Sequence, residues 1–265
     1  MDYKDIDHLL KVTLSPSECP SQELNNRILS RMKESNEMKI RNKRHVLAVC
    51  IVTLCLFIIP ASVYAAYKYL SPKEAAIKMG DSKLGGAFDE KGAEVLETVT
   101  DGRYKVTYLG HVTGEGISER TGSAWDMNPE RTYVAVAIES TDGTPISYDD
   151  SFFVSPLIKG LEPWLYNIAS MNGSYIAEII DGVLYRIIEC DNVEIFADRQ
   201  LYLAVSDTNF FSNEAFAYDL DSGEISIEEG YAGTNLLFDL KLDPSKADEV
   251  KVKDYLEQLD KAWQE

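Results

Sequence analysis

Side chains that could carry out acid–base or nucleophilic chemistry are few and widely spaced in this chain. It has three histidines, His8, His45 and His111, whereas a Ser-His-Asp triad or a His-rich zinc site needs imidazoles beside further reactive groups. Only His111 lies in the long C-terminal part, where it follows Gly110 at a predicted strand end. This position favours a surface or capping role. Because no nucleophile, base and orienting group come together, we expect the chain not to be an enzyme.

Carboxylates are abundant, with 44 Asp and Glu residues, so an acidic pair alone indicates little. The best candidate for a cation site begins at Asp219 and Asp221, which alternate as at the start of a calcium loop. An EF-hand loop needs an oxygen ligand where this chain has Gly223. A hairpin turn is therefore the favoured interpretation, and we predict no metal and no cofactor.

The segment 161–175 is the one aromatic-rich loop with the character of a binding site. It contains Trp164, Tyr166 and Tyr175 among small and polar residues. Large aromatic side chains often anchor partners at recognition surfaces. Packing in a hydrophobic core is the commoner role of such residues, and both interpretations stay open.

An apolar run, residues 46–67, divides the chain into two parts. It carries no charged residue and would span about 33 Å as a helix, enough to cross the hydrocarbon core of a bilayer. Lys and Arg are more frequent before the run than after it, which places the N-terminus in the cytoplasm. The sequence thus predicts a single-pass protein of the cell membrane with the lipid bilayer as a partner.

A cleaved signal peptide is the alternative interpretation of this run. Val63-Tyr64-Ala65 resembles a small-x-small cleavage site after an apolar stretch. Residues 1–44, however, are far longer than the basic region that precedes such a stretch in signal peptides. We therefore favour an uncleaved anchor.

Charge and cysteine usage differ on the two sides of the run. The formal net charge is -18, and the negative excess lies entirely beyond the run, because residues 1–44 are slightly basic. Repulsion by phosphates argues against nucleic acid as a direct partner. Cys190 is the only cysteine beyond the run, and its apolar surroundings predict a small buried residue. A domain outside the cell without disulfides suits a Gram-positive bacterium.

Residues 1–44 predict two short amphipathic helices in the cytoplasm. Neither helix could form a core of its own, so their apolar faces favour contact with a partner. A helix on the membrane surface, or a tail without fixed structure, is the alternative. The side chains predicted to bind a partner are Ile6, Leu9, Leu10, Leu24, Ile28 and Met32.

Beyond the run, helix signals are followed by strand signals. Ser71-Pro72-Lys73-Glu74 is a capping box with Pro at the first helical position, and a second short helix is predicted over residues 81–88. Alternating apolar residues around Asp101-Gly102 and Asp181-Gly182 predict two hairpins.

Further strands are predicted over residues 130–140 and 192–207. Residues 244–263 predict a C-terminal helix, capped by Ser245, that docks on the sheet or its rim.

The predicted fold class is mainly β, with one transmembrane helix and an immunoglobulin-like β-sandwich outside the membrane. Residues 1–44 form the cytoplasmic helical segment and residues 45–67 the transmembrane helix. Juxtamembrane helices occupy residues 68–92. The extracytoplasmic β-sandwich domain, with its C-terminal helix, occupies residues 93–265.

Four segments of the chain are distinctive, namely PSQELNNRILSRMKES, SPKEAAIKMGDSKLGGAF, RTYVAVAIESTDGTPI and PWLYNIASMNGSY. Together they resemble a family of Firmicute single-pass membrane proteins. The resemblance covers most of residues 15–240 and implies an extracytoplasmic domain of unknown function in an anti-sigma factor. Its partner would be an extracytoplasmic-function sigma factor. The chain lacks the His-x-x-x-Cys-x-x-Cys motif of zinc-type anti-sigma factors in residues 1–44.

Two functions follow as hypotheses. In the first, the chain is a membrane signalling protein that regulates transcription: its cytoplasmic helices bind a sigma factor, and its outer domain senses an unknown envelope signal. In the alternative, it is a membrane-anchored binding or structural module for an unknown extracellular ligand, without sigma-factor contact.

Overall fold

The computed structural model describes residues 69–120 and 129–262. The predicted cytoplasmic helices and membrane span lie outside these residues. None of the helices within the described ranges has the length and apolar character needed to cross a membrane.

The described part is mainly β, with antiparallel sheets and three α-helices. The strands are β1 (Ala93–Asp101), β2 (Tyr104–Glu115), β3 (Glu130–Ser140), β4 (Phe153–Ile158), β5 (Ser174–Ile180), β6 (Val183–Asp191), β7 (Leu201–Ser206), β8 (Phe216–Tyr218), β9 (Ile225–Ile227) and β10 (Asn235–Asp239). The helices are α1 (Pro72–Lys78), α2 (Ser82–Lys91) and α3 (Glu249–Ala262), with 3-10 turns at Val193–Phe196 and Pro244–Lys246.

Two sheets pack face to face. The larger has the strand order β1-β2-β3-β6-β5 and the smaller the order β10-β7-β4, while β8 and β9 form a separate hairpin. In an immunoglobulin domain, the second strand along the chain pairs with the first and the fifth. Here β2 pairs with β1 and β3, so the strand order differs from that of an immunoglobulin domain.

Strand β3 is buried on both faces. Val134 and Val136 lie in the core between the two sheets, together with Leu203 of β7. Tyr133 and Ala135 face the opposite side, where α1 and α2 cover the larger sheet. Burial on two faces explains why this strand is apolar almost without alternation.

The first two helices form as predicted. The Ser71 hydroxyl accepts a hydrogen bond from the Glu74 N–H, and the Glu74 carboxylate accepts from the Ser71 N–H at 2.9 Å. The capping box therefore begins α1. In α2, Leu84 and Phe88 are buried against the larger sheet.

Both predicted hairpins are confirmed. Asp181 and Gly182 form the two-residue turn between β5 and β6, with positive φ angles of 51° and 81°. In the other hairpin, Asp101 pairs with Tyr104, so that the turn lies one residue further along than predicted.

The prediction of a strand from residue 192 onward is wrong at its start. Residues 193–196 form a 3-10 turn because the Asn192 side chain accepts a hydrogen bond from the Glu194 N–H at 2.8 Å. Only residues 201–206 of this segment form a strand, β7.

The C-terminal helix is present, but Ser245 does not cap it. The Asp248 carboxylate accepts hydrogen bonds from the N–H groups of Val250 and Lys251, at 3.0 and 3.1 Å. Ser245 lies instead in the preceding 3-10 turn. Helix α3 docks on the rim of the core as predicted, through residues that include Val252 and Tyr255.

Candidate functional site

A groove lies where the β4–β5 connection meets the β7–β8 connection. Its volume of about 610 Å³ falls within the range of small-ligand pockets, roughly 300–1,000 Å³. We name it the aromatic groove. It is lined by Phe153, Trp164, Asn167, Ile168, Ala169, Gly173, Ser174, Tyr175, Asn209, Phe210 and Phe211.

Three of its aromatic side chains are strongly exposed. Trp164 is 41% exposed, Tyr175 57% and Phe210 76%. None of the described side chains that line the groove is charged, although the chain as a whole carries a net charge of -18. Exposed aromatic residues grouped in a concave, uncharged surface are typical of a recognition site.

The β4–β5 connection is held by the Asn167 side chain. Its amide nitrogen donates to the Pro163 carbonyl at 2.9 Å, and its oxygen accepts from the Ala169 N–H at 3.0 Å. The Ile168 N–H donates to the Ser155 hydroxyl at 2.8 Å, which ties the loop to β4. These bonds satisfy buried polar groups and give the groove wall a defined conformation.

Gly173 allows the end of this loop to turn tightly. A Cβ atom at this position would lie 2.2 Å from Cγ1 and 2.3 Å from the carbonyl oxygen of Ile168. The adjacent Asn172 has a positive φ of 48°, and its side chain donates to Asp191 at 2.8 Å. Asp191 also accepts from Arg131 at 2.6 Å, so a buried ion pair supports the loop.

Several aromatic rings that line the groove are supported by contacts with other rings. Trp164 meets Tyr218 edge to face, with ring centroids 5.5 Å apart. Phe211 contacts Phe153 edge to face and stacks on Phe216, both at 6.1 Å.

A buried arginine lies behind one wall of the groove. The guanidinium of Arg186 sits 4.1 Å from the centroid of the Tyr175 ring and donates to the Phe152 carbonyl. Its Nε has no hydrogen-bond partner within the described ranges. Burial lowers the pKa of Arg186 from its ordinary value, since the charged form loses hydration.

The aromatic-rich segment predicted from the sequence contributes two of its three named side chains to the groove. Trp164 and Tyr175 line it, whereas the Tyr166 hydroxyl donates to Asp260 of α3 at 3.2 Å. Sequence reasoning missed Phe210 and Phe211, although two adjacent phenylalanines among polar residues are a usable signal. The predicted partner-binding residues Ile6, Leu9, Leu10, Leu24, Ile28 and Met32 lie outside the described ranges.

The surface or capping role predicted for His111 is wrong. His111 is only 8% exposed, and its Nδ1 is hydrogen-bonded to the Tyr108 hydroxyl at 2.5 Å. A shift in register between Tyr108 and Gly110 interrupts the regular alternation of this strand, which sequence periodicity does not reveal. Burial lowers the pKa of His111 to about 4, so the ring is neutral at pH 7.

The acidic segment beginning at Asp219 is a hairpin turn, as favoured from the sequence. The Asp219 carboxylate accepts from the N–H groups of Asp221 and Ser222 at 2.9 and 2.7 Å, and Gly223 has a φ of 68°. The described ranges contain no group of three side chains arranged to hold a metal ion. Cys190 is fully buried, as predicted, and its burial raises the pKa of the thiol to about 12.

The described part is thus a mainly β domain of antiparallel sheets with an uncharged groove lined by aromatic side chains. No protein-family model matches the chain, and comparisons with curated proteins and with solved structures also give no match.

Proposed function

We propose that this chain is a single-pass membrane signalling protein of the anti-sigma type. In this proposal, residues 45–67 form the transmembrane helix and the β domain lies outside the membrane. The domain binds an envelope ligand through the aromatic groove, and the cytoplasmic helices bind a sigma factor. The observation that carries the ligand-binding role is the uncharged groove with three exposed aromatic side chains on a well-supported loop.

The start of the domain supports coupling between ligand and membrane. Tyr69 comes two residues after the apolar run and is only 7% exposed. Its hydroxyl group donates a hydrogen bond to the Glu139 carboxylate at 2.6 Å. The next N–H, of Leu70, donates to the Tyr185 hydroxyl at 3.1 Å. The chain is thus docked on the larger sheet almost as soon as the run ends. In the sequence, only Lys68 stands between the run and Tyr69.

The sigma-factor contact is tested with the full chain. Affinity-tagged protein, solubilised from the membrane of its own host, should co-purify with a sigma factor. Leu24→Asp should abolish this co-purification because it places a charge in the predicted apolar face, whereas Asn26→Asp, on the polar side of the same predicted helix, should not. Absence of any sigma factor from the wild-type preparation contradicts the proposal.

The groove is tested by signalling in cells. Trp164→Ala should abolish the response of a sigma-dependent reporter to the envelope signal. Leu220→Ala, which removes an apolar side chain that is 77% exposed outside the groove, is the matched control and should leave the response intact. Equal responses from the two variants contradict a ligand-binding role of the groove.

The alternative function is a membrane-anchored binding module without sigma-factor contact. The groove favours it equally, because ligand binding outside the cell needs no cytoplasmic partner. Replacing residues 1–36 with an unrelated basic segment distinguishes the two functions. Ligand-dependent activity would survive this replacement only if the alternative holds.

A further inference from the structure

The hairpin between β5 and β6 sets which backbone groups of β5 face the free edge of the larger sheet. Its two-residue turn leaves Ile180 and Val183 as the closing pair, which exchanges hydrogen bonds within the ladder. Since amide directions alternate along an antiparallel strand, the N–H and C=O of Ile179 point away from β6. The Ile179 N–H indeed donates to the Tyr148 hydroxyl on that side, at 3.3 Å.

The same alternation directs the N–H and C=O groups of Tyr175 and Ala177 outward. No hydrogen-bond partner reaches them from the described ranges. Proteins usually protect such edges from pairing with other chains. The edge strand β4 contains Pro156, and the edge strand β1 contains a bulge between Glu94 and Glu97. The stretch of β5 from Tyr175 to Ala177 has neither protection.

This open edge is continuous with the aromatic groove. Gly173, Ser174 and Tyr175 line the groove and lead directly into β5. A chain added along β5 would therefore reach the groove at the start of the strand. Side chains of an added strand alternate in direction, so that one of them could fill the groove while its neighbours stay outside.

We propose that the β5 edge and the aromatic groove together bind an extended basic peptide as an additional strand of the larger sheet. One large apolar side chain of the peptide occupies the groove between Trp164, Tyr175 and Phe210. This inference rests on the proposed ligand-binding role of the domain and names the class of ligand.

Charge decides the composition of the peptide. The part of the chain beyond the apolar run is strongly acidic, so lysine or arginine in the peptide would be attracted from a distance. The groove itself has no charged lining, and the Arg186 cation lies directly behind Tyr175. A basic side chain is disfavoured there, and the basic residues must therefore flank an apolar anchor.

Backbone pairing favours a peptide over a neutral saccharide. Outward N–H and C=O groups recur at every second residue of β5, which is the spacing of a peptide backbone in an antiparallel or parallel ladder. A saccharide could stack on the aromatic rings but would leave this repeating set of donors and acceptors unmatched.

The test uses the full chain in lipid nanodiscs made from zwitterionic lipid. The probe is a pool of fluorescent seven-residue peptides in which lysine alternates with valine, isoleucine, phenylalanine or tryptophan. We expect binding at low ionic strength, with members that carry one central aromatic residue binding best. A matched pool with glutamate in place of lysine should not bind. Failure of every lysine-containing peptide to bind overturns the inference, and so does equal binding of both pools.

Two further measurements test the strand geometry. Ala177→Pro removes an outward N–H without removing a ladder bond to β6, and it should weaken binding by about tenfold or more. Since this variant could disturb β5, peptides methylated on alternate amide nitrogens provide an independent measurement with the unmodified protein. Methylation of one alternate set should abolish binding and methylation of the other set should preserve it. Equal binding of the two methylated peptides overturns the inference.

Chitohexaose, a neutral saccharide, serves as the competing probe. If it binds in a manner abolished by Trp164→Ala while no peptide of the pool binds, the peptide inference is wrong and the ligand-binding role of the groove survives. If Trp164→Ala changes neither peptide binding nor the reporter response in cells, the proposed function fails as well.

Discussion

Arg186 and Tyr175 form a cation–π pair in which the guanidinium lies 4.1 Å from the centre of the ring. The two side chains differ sharply in exposure, at 7% for the arginine and 57% for the tyrosine. The exposed ring therefore shields a buried cation and at the same time forms one wall of the aromatic groove. In this pair, the stability of the domain and the shape of its candidate site depend on the same side chain.

Tyr175→Ala should lower the free energy of unfolding by about 1 kcal/mol, because the variant loses the cation–π contact and exposes the Arg186 guanidinium. Tyr175→Phe should have little effect, since the contact depends on the ring face. Chemical denaturation of the full chain in detergent, followed by circular dichroism, measures both variants. Equal destabilisation by the two substitutions would show that the hydroxyl, not the ring, is responsible.

Gly173→Ala should destabilise the domain by about 1–3 kcal/mol, because the new Cβ would lie 2.2 Å from an Ile168 side-chain atom and 2.3 Å from its carbonyl oxygen. Gly230→Ala is the matched control, since no atom lies within 4 Å of its added Cβ. The same denaturation measurement applies. A Gly173 variant as stable as the Gly230 variant would mean that the loop relaxes freely, and the groove would then not be a fixed surface.

Arg131→Met should cost about 3 kcal/mol of unfolding free energy, because it leaves the buried Asp191 carboxylate without its cation. Burial raises the pKa of Asp191 because the charged form loses hydration, and the nearby Arg131 cation offsets part of this effect. Lys73→Met breaks the exposed ion pair with Asp89 and should change the stability by less than about 0.5 kcal/mol. Similar effects of the two substitutions would contradict the assigned role of the Arg131–Asp191 pair.

Acidification should destabilise the domain through His111. Its pKa is lowered to about 4 in the folded state, whereas an unfolded histidine titrates near about 6.5, so protons bind preferentially to the unfolded chain between these values. Stability is therefore complete above the unfolded pKa and falls as the pH drops towards the folded pKa. Between pH 7 and pH 5 the expected loss is about 2 kcal/mol.

The His111→Gln variant isolates this contribution. Between pH 7 and pH 5, this variant should lose about 2 kcal/mol less unfolding free energy than the unmodified chain. Because carboxylates titrate alike in both proteins, the difference between the two pH profiles reports on His111 alone. Parallel profiles would rule out a neutral buried imidazole.

Local patterns in the sequence predicted much of the fold correctly. The capping box at Ser71 and the turn at Asp181-Gly182 rely on residues close together in the chain, so their outcome follows from short-range sterics and hydrogen bonds. The apolar character of residues 130–140 was enough to predict the strand that they form. Two errors arose where a side chain offered a competing local hydrogen bond, at Asn192 and Asp248.

By itself, the sequence determined a mainly β domain, its acidic charge, and an aromatic-rich segment around Trp164. Only the tertiary structure decided that Trp164 and Tyr175 meet Phe210 in one groove, and that His111 is buried. It also decided that β5 lies at an edge of the larger sheet. These features depend on the order of strands in the sheets and on contacts between residues far apart in the chain. Periodicity within one segment carries no information about either.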